Sequence, residues 1–183
     1  GSIEIILDEL IITGQAVSGI GADDFIRLGM CEGCTDEWKY GEDEDDNPNP
    51  FSDEYTDIYF FHLDWMDSTD VNGNINDEIN FFSDYRKQHS FRELTSWGIK
   101  GSTSSGIPSN VQINLSWDSE KLNTNSVNFK MYIFVGDENG VNMQQQNNIS
   151  IDQSDLTLNE NNEPNIWVML GGCAGTGEGV DCN

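Results

Sequence analysis

The sequence predicts an all-β protein, an antiparallel β-sandwich of the Ig-like or jelly-roll-like kind with long acidic loops. Residues 111–117 and residues 127–135 each alternate apolar and polar side chains, the period of two that a strand with one buried face requires. A polar segment, 119–126, joins them, so we expect an antiparallel pair covered by a second layer. Turn residues divide the rest of the chain into short strand-like runs, which favours a sandwich over a parallel α/β fold.

The composition of the chain limits the kinds of molecule that the protein can bind. The chain has 183 residues, enough for one domain with embellishments, and its 33 acids against 8 bases give a formal net charge of −25. Such a charge excludes nucleic acid and anionic membrane surfaces as partners, and it favours cations. No run approaches the roughly 20 apolar residues that span a bilayer, so we expect no membrane insertion. Frequent Asn and turn residues with few Lys are typical of an extracellular all-β protein.

The first element is the apolar run 3–12, whose pattern is ambiguous. Ile3, Ile6, Leu7 and Leu10 have helical spacing, but half of the run is Ile, which favours a strand, and Thr13 and Gly14 end it. As a strand it is apolar on both faces, so we expect burial on both sides. Further strands are expected over residues 24–30, 54–63, 79–85, 94–99, 141–143, 148–151 and 166–170.

The acidic segment 36–57 is predicted to be a long loop, because its Pro and Asn residues disfavour regular structure. We divide the chain into an N-terminal apolar strand that a neighbour can accept (1–20), a β-sandwich (21–172) and a Gly/Cys-rich tail (173–183).

A set of aromatic and turn motifs follows one order along the chain: Tyr59-Phe-Phe-His-Leu-Asp-Trp65, Phe82-Ser-Asp-Tyr-Arg86, Trp97, Val111-Gln-Ile-Asn-Leu-Ser-Trp-Asp118 and Gly136-Asp-Glu-Asn-Gly140, preceded by Gly41-Glu-Asp-Glu44. Over residues 24–151 the chain resembles a β-sandwich domain of large secreted and surface proteins of bacteria with type IX-like secretion. The resemblance implies an extracellular, non-catalytic module and supplies no catalytic residues.

The cysteines predict two disulfides. Their number is even, and an extracellular setting is oxidising. A zinc site requires two tight pairs, whereas the second pair is widely spaced, and a redox motif is opposed by the acids near the first. The connectivity stays open between local pairing and cross-pairing of Cys31, Cys34, Cys173 and Cys182.

Calcium is the expected ligand. Residues 67–78 resemble part of an EF-hand or dockerin loop, with Asp70, Asn72 and Gly73 at matching places. Ser68 and Ile79 occupy the places of its first and last carboxylates, so an ordinary Asn-Gly turn is the better interpretation. We expect calcium to be bound in another geometry, because clustered carboxylates repel unless neutralised. The candidate ligands are Asp43, Asp45, Asp57, Asp67 and Asp70.

Enzyme signatures are not found in the sequence: it has no Gly-x-Ser-x-Gly, phosphate loop or His-Glu-x-x-His. His62 and His89 are expected to be structural, and Trp65, Trp97, Trp117 and Trp167 are expected in the core.

We therefore expect a non-catalytic subunit of an extracellular surface layer or filament, stabilised by calcium. Self-assembly is expected through donation of the N-terminal strand, which can instead complete its own sandwich. The residues assigned to assembly are Ile3, Ile5, Leu7, Leu10 and Ile12. The alternative is a carbohydrate-binding or adhesion module of a secreted protein, with a glycan as partner.

Overall fold

Two packed sheets, most of whose strand pairs are antiparallel, make up the fold, which confirms the predicted β-sandwich. The computed structural model describes residues 7–46, 53–88, 93–124 and 129–172. The strands are β1 (Leu7–Ala16), β2 (Asp24–Cys31), β3 (Thr56–Phe61), β4 (Asn80–Phe81), β5 (Ser83–Lys87), β6 (Leu94–Thr103), β7 (Ile113–Ser116), β8 (Phe129–Val135), β9 (Val141–Asn142), β10 (Asn148–Ile151) and β11 (Ile166–Gly172), with helix α1 (Ser119–Thr124) and 3-10 turns at Leu63–Trp65 and Gln153–Leu156.

The sheets differ in size and strand order. The five-stranded sheet has the order β10-β7-β1-β2-β5, and the six-stranded sheet has the order β4-β3-β6-β11-β8-β9. The pairing of β2 with β5 is parallel, whereas β1 pairs antiparallel with both β2 and β7. The predicted run 79–85 is divided between β4 in one sheet and β5 in the other, so the chain changes layers at Phe82.

The core lies between the sheets and is formed by the inward side chains of both. Trp97, Phe60 and Phe81 are fully buried there, and large aromatic side chains contribute most of the apolar area that such a core removes from water. Trp65 and Trp117 are buried as predicted. The prediction for Trp167 is wrong: it faces outward from the six-stranded sheet and is half-buried, because the inward positions of β11 belong to Ile166, Val168 and Leu170.

The N-terminal run forms a strand, as predicted, and β1 lies in the middle of the five-stranded sheet. Leu7, Leu10 and Ile12 are buried at 0–1% exposure. The expectation of burial on both faces is wrong, because Ile11 is 38% exposed and Asp8 is exposed on the outer face. A register irregularity between Leu7 and Leu10 places both residues on the buried side. Ile3 and Ile5 lie outside the described residues.

The predicted pairing of 111–117 with 127–135 is wrong. Strand β7 pairs with β1 and β10, whereas β8 pairs with β11 and β9 in the opposite sheet. Helix α1 follows β7 directly and begins the connection that carries the chain from one layer to the other. The two apolar faces therefore belong to opposite layers of the sandwich and do not form one two-stranded surface.

Candidate functional site

Three carboxylates from distant parts of the chain meet at the edge of β3. Asp24 begins β2, Asp46 lies in the first described part of the acidic segment, and Asp57 lies on β3. Backbone hydrogen bonds join Ala22 to both Glu54 and Thr56, so the segment before β2 runs along the first half of β3. Strand β4 covers only the second half. The cluster thus lies at the edge of β3, between the part that pairs with the segment before β2 and the part that pairs with β4.

The oxygens of Asp24, Asp46 and Asp57 approach one another within 4.8 Å. In the part of the chain that the structure describes, this is the one group of at least three His, Cys, Asp or Glu side chains arranged so closely. Asp24 is held in place because its Oδ2 accepts a 2.9 Å hydrogen bond from the Ile58 N–H, and its Oδ1 accepts one from Phe25. Several carboxylate oxygens at this spacing suit a hard cation such as Ca²⁺.

The electrostatics of the cluster favour a positive partner. Burial raises the pKa of Asp57 to about 8, and the carboxylates of Asp46 and Asp24 add to the increase. The same neighbourhood, with burial as the first cause, raises the pKa of Tyr59 to about 12. At neutral pH the cluster therefore holds a proton or a cation in preference to three uncompensated charges.

The structure brings only one of the five predicted calcium ligands, Asp57, into this cluster. The carboxylate of Asp43 is buried and accepts hydrogen bonds from the backbone N–H groups of Lys39 and Tyr85. Asp45 and Asp67 are exposed. The four other predicted ligands therefore do not form one site with Asp57.

The EF-hand-like segment forms a closed polar turn. The Oδ1 atom of Asp70 accepts hydrogen bonds from the backbone of Asn72 and Asn74, and its Oδ2 accepts one from Tyr40. A bridge between Thr69 and Ile75 closes the turn. The Asp70 oxygens are thus already hydrogen-bonded within the protein, as expected for an Asn-Gly turn.

Two of the four cysteines form the local pair. Cys31 ends β2, and it lies with Cys34 at disulfide distance, with Cα atoms 5.3 Å apart. Cys173 and Cys182 lie outside the described residues.

A second charged group is buried between the sheets. Asp84 on β5 is fully buried, with Oδ2 at 2.5 Å from His62 Nε2 and Oδ1 at 2.5 Å from Arg86 Nε. Burial opposes ionisation of Asp84, but the Arg86 and His62 charges outweigh it and lower the pKa of the carboxyl. The His62 ring stacks on Trp65 at 3.5 Å. Arg86 and His62 together neutralise Asp84, and the group fixes β5 against the opposite sheet.

Sequence reasoning missed Asp24 and Asp46 as partners of Asp57. Asp46 belongs to the acidic run, but Asp24 stands before an apolar strand and has the pattern of a surface residue. The three positions belong to separate segments that only the sandwich brings together. The available signal was the acid at the first position of a strand whose other even-numbered residues, Ile26, Leu28 and Met30, are apolar.

Comparisons with protein-family models, with curated proteins and with solved structures give no match for this chain. Across the described ranges, no helix has both the length and the apolar character needed to cross a membrane.

Proposed function

We propose that the chain is a non-catalytic structural subunit of an extracellular surface layer or filament, joined by exchange of β1 between copies and stabilised by calcium. The observation that carries this proposal is the place of β1. It is the first strand that the structure describes, yet it lies in the middle of a sheet, between β7 and β2. A strand that lies between two segments from later parts of the chain is one that a second copy can supply in exchange.

Withdrawal of β1 leaves a groove in the sheet. Its Thr13–Ala16 half pairs with β7, and its Leu7–Gly14 part pairs with β2, so both neighbours lose a partner. Each of Leu7, Leu10 and Ile12 contributes roughly 1.5–3 kcal/mol by burial before ordering costs. A strand from another copy with the same sequence makes the same contacts, which gives the joint its strength.

The connection from β1 to β2 suits such an exchange. Residues 17–23 separate the two strands, and Gly19 and Gly21 adopt φ values of 75° and 81° there. These backbone conformations reverse the chain direction in the closed form and cost glycine little. If extended, seven residues span about 23–25 Å, so the strand can reach a neighbouring copy. Repetition in one direction produces an open, head-to-tail filament.

A disulfide that fixes β1 in its own chain tests the exchange. Thr13 lies opposite Phe25 in the β1–β2 register, so the Thr13→Cys/Phe25→Cys variant can lock the strand in place. The matched control is Ser96→Cys/Met169→Cys, a register pair on β6 and β11 of the other sheet. Size-exclusion chromatography with light scattering and negative-stain microscopy, at rising protein concentration, measure assembly of both oxidised variants.

We expect the β1 lock to remain monomeric while the control polymerises like the unmodified protein. Polymerisation of the fully oxidised β1 lock would show that the copies are joined elsewhere. An unmodified protein that stays monomeric at millimolar concentration, with and without calcium, would contradict the filament itself.

The calcium part of the proposal is supported by the cluster of Asp24, Asp46 and Asp57. The carbonyl oxygen of Asn80 accepts a hydrogen bond from the Asp46 N–H, and the side-chain Oδ1 of the same residue is buried with no hydrogen-bond partner. An unsatisfied oxygen therefore belongs to a residue that is hydrogen-bonded to Asp46, one of the three cluster members. Calcium coordination by such oxygens offsets both the charge repulsion and the desolvation that raise the pKa of Asp57.

The Asp57→Asn variant tests the calcium site with effects of opposite sign. Because the folded-state pKa of Asp57 is raised from 3.8 to about 8, its contribution to stability declines as pH rises through that interval. At pH 8 without calcium, we expect the variant to be more stable than the parent protein. With calcium, the parent should gain stability by mass action and the variant should not.

Thermal unfolding at constant ionic strength, with calcium or with chelator, measures both effects. The control is Asp67→Asn, which neutralises an exposed predicted ligand outside the cluster and should leave the gain with calcium unchanged. Equal gains in all three proteins would place the cation elsewhere, and no gain in any of them would mean that the three carboxylates are compensated by a proton and bind no cation.

A further inference from the structure

We infer that the outer face of the six-stranded sheet carries a binding site for a neutral saccharide, centred on Trp167. Of the five tryptophans in the chain, Trp38, Trp65, Trp97 and Trp117 are buried at 0–6% exposure. Trp167 is half-buried and lies on the outer face of β11. A tryptophan in that position provides a flat apolar surface that solvent and a ligand can reach.

The indole ring is held in place before any ligand arrives. Its Nε1–H donates a 2.8 Å hydrogen bond to the carbonyl oxygen of Pro164. Gly98 lies opposite Trp167 on β6, and a Cβ at Gly98 would come within 3.1 Å of the Cη2 and Cζ3 atoms of the ring. The absence of a side chain at Gly98 therefore lets the benzo edge rest against the sheet. A ring fixed at both ends loses little entropy when it binds.

Two clefts border this ring. The first, of about 480 Å³, is formed on one side by Phe61, Leu63 and Asp64 and on the other by the loop before β11. The second, of about 350 Å³, includes Gly136 and Asp137. Both clefts include Asn161, Pro164 and Trp167, so they adjoin across the ring. Each has the volume of a small-ligand site, and together they suit an oligomer with more than one ring.

The lining of the clefts combines apolar side chains, which suit the C–H face of a sugar, with polar side chains, which suit its hydroxyls. Trp167 and the exposed Leu63 offer apolar surface against which the C–H face of a pyranose can stack, and Phe61, 8% exposed, lines the same cleft. The rim carries exposed amides and carboxylates, and the side chains of Asn161, Asn162 and Glu163 make no hydrogen bond to any described residue. These groups are available to the hydroxyls of a ligand. The net charge of −25 disfavours anionic ligands, so among saccharides we assign a neutral one.

The test is binding of neutral oligosaccharides by the whole chain. A glycan array selects the ligand. Titration calorimetry and acrylamide quenching of tryptophan fluorescence then follow binding, and quenching reports chiefly on Trp167 because the other four indoles are buried. We expect Trp167→Ala to reduce the affinity about tenfold or more, the effect of losing about 1.4 kcal/mol. Gly98→Ala should also weaken binding, because its methyl group would come within 2.8 Å of Pro164 Cγ and 3.1 Å of the indole and displace both rings.

The control is Met169→Ala, which truncates the next outward side chain of β11, 38% exposed and outside both clefts. It should bind like the parent protein, and circular dichroism should show every variant folded. Affinity unchanged in folded Trp167→Ala would overturn the assignment. If no neutral glycan on the array binds and a lysine-rich peptide does, the acidic rim recognises a basic chain and the saccharide assignment is wrong.

Discussion

At the scale of single residues, the buried charges around Asp84 are the feature of the core that depends most on intact hydrogen-bond partners. Asp84 accepts hydrogen bonds from Arg86 at 2.5 and 3.0 Å and contacts His62 Nε2 at 2.5 Å. Removal of one member of a buried pair leaves its partner charged and desolvated. We therefore expect Asp84→Ala to lower the free energy of unfolding by about 3–5 kcal/mol, measured by urea denaturation at pH 7.

The control for that prediction lies at the end of the same strand. Lys87 and Asp36 form a pair at 3.5 Å whose side chains are 57% and 34% exposed. Solvent screens such a pair, so Lys87→Met should change the stability by no more than about 1 kcal/mol. A similar small loss for Asp84→Ala would mean that water enters the group and that Arg86 is not left unpaired.

His62 should give the stability a pH dependence of known sign. Burial alone would lower its pKa, but hydrogen bonds to Asp64 and Asp84 outweigh that effect and raise the pKa above 6.5. A raised folded-state pKa stabilises the protein below the unfolded-state value, and the stabilisation is lost as pH rises through the folded-state value. The stability difference between the parent protein and His62→Gln should therefore be larger at pH 6 than at pH 9.

Denaturation of both proteins at the two pH values measures that difference, and NMR titration of the imidazole gives the pKa directly. Comparison of the variant with its parent cancels the pH dependence that comes from Asp43 and Asp57, whose pKa values burial raises to about 8. A difference that is constant with pH, or that grows toward pH 9, would show that His62 is neutral in the fold.

At the scale of elements, helix α1 is short, and its first turn depends on one side chain. The Oδ1 atom of Asp118 accepts hydrogen bonds from the backbone N–H groups of Glu120 and Lys121, while the fully buried Leu122 anchors the other side. Loss of an N-cap costs about 1 kcal/mol. We expect that loss for Asp118→Ala in chemical denaturation, and near-parent stability for Asp118→Ser, which keeps an acceptor oxygen. Equal losses in both variants would show that the helix is stabilised by the negative charge of Asp118 and not by its capping hydrogen bonds.

Strands β7 and β8 show what the sequence pattern could and could not predict. The period of two in β7 and β8 indicated correctly that each strand has one buried face. It does not identify the hydrogen-bonding partner, because side-chain alternation is perpendicular to the direction in which strands pair. A polar connection of a few residues suits a hairpin and a crossover alike. The strands were therefore predicted, and their assignment to opposite sheets was not.

The candidate site was predictable only in its chemistry. An excess of carboxylates indicated a cation, and Asp57 was among the expected ligands. Asp24 and Asp46 join it through contacts between β2, the acidic loop and β3, and such long-range contacts leave no spacing in the sequence. Trp167 was misassigned for a related reason. An aromatic side chain in a strand has no local signal for the face it occupies when the residues around it, Ile166, Val168 and Met169, are also apolar.

At the scale of the whole molecule, charge opposes the assembly that we propose. Each copy carries a formal charge of −25, so two copies repel one another before β1 of one can reach the groove of the other. The screening length is about 30 Å at 0.01 M ionic strength and about 8 Å at 0.15 M. Repulsion between copies is thus strong in dilute salt and short-ranged at the salt concentration of most extracellular fluids.

We therefore expect the rate of polymerisation, followed by light scattering, to rise steeply between 0.01 and 0.15 M NaCl, because added salt shortens the range of the repulsion. At equal ionic strength, calcium should accelerate the parent protein beyond sodium but should not do so for Asp57→Asn, whose cluster has lost one carboxylate. The Thr13→Cys/Phe25→Cys lock should scatter little at every salt concentration, which separates strand exchange from salt-induced aggregation. Polymerisation that is insensitive to ionic strength, or that proceeds equally in the lock, would mean that neither the charge nor β1 controls the contact between copies.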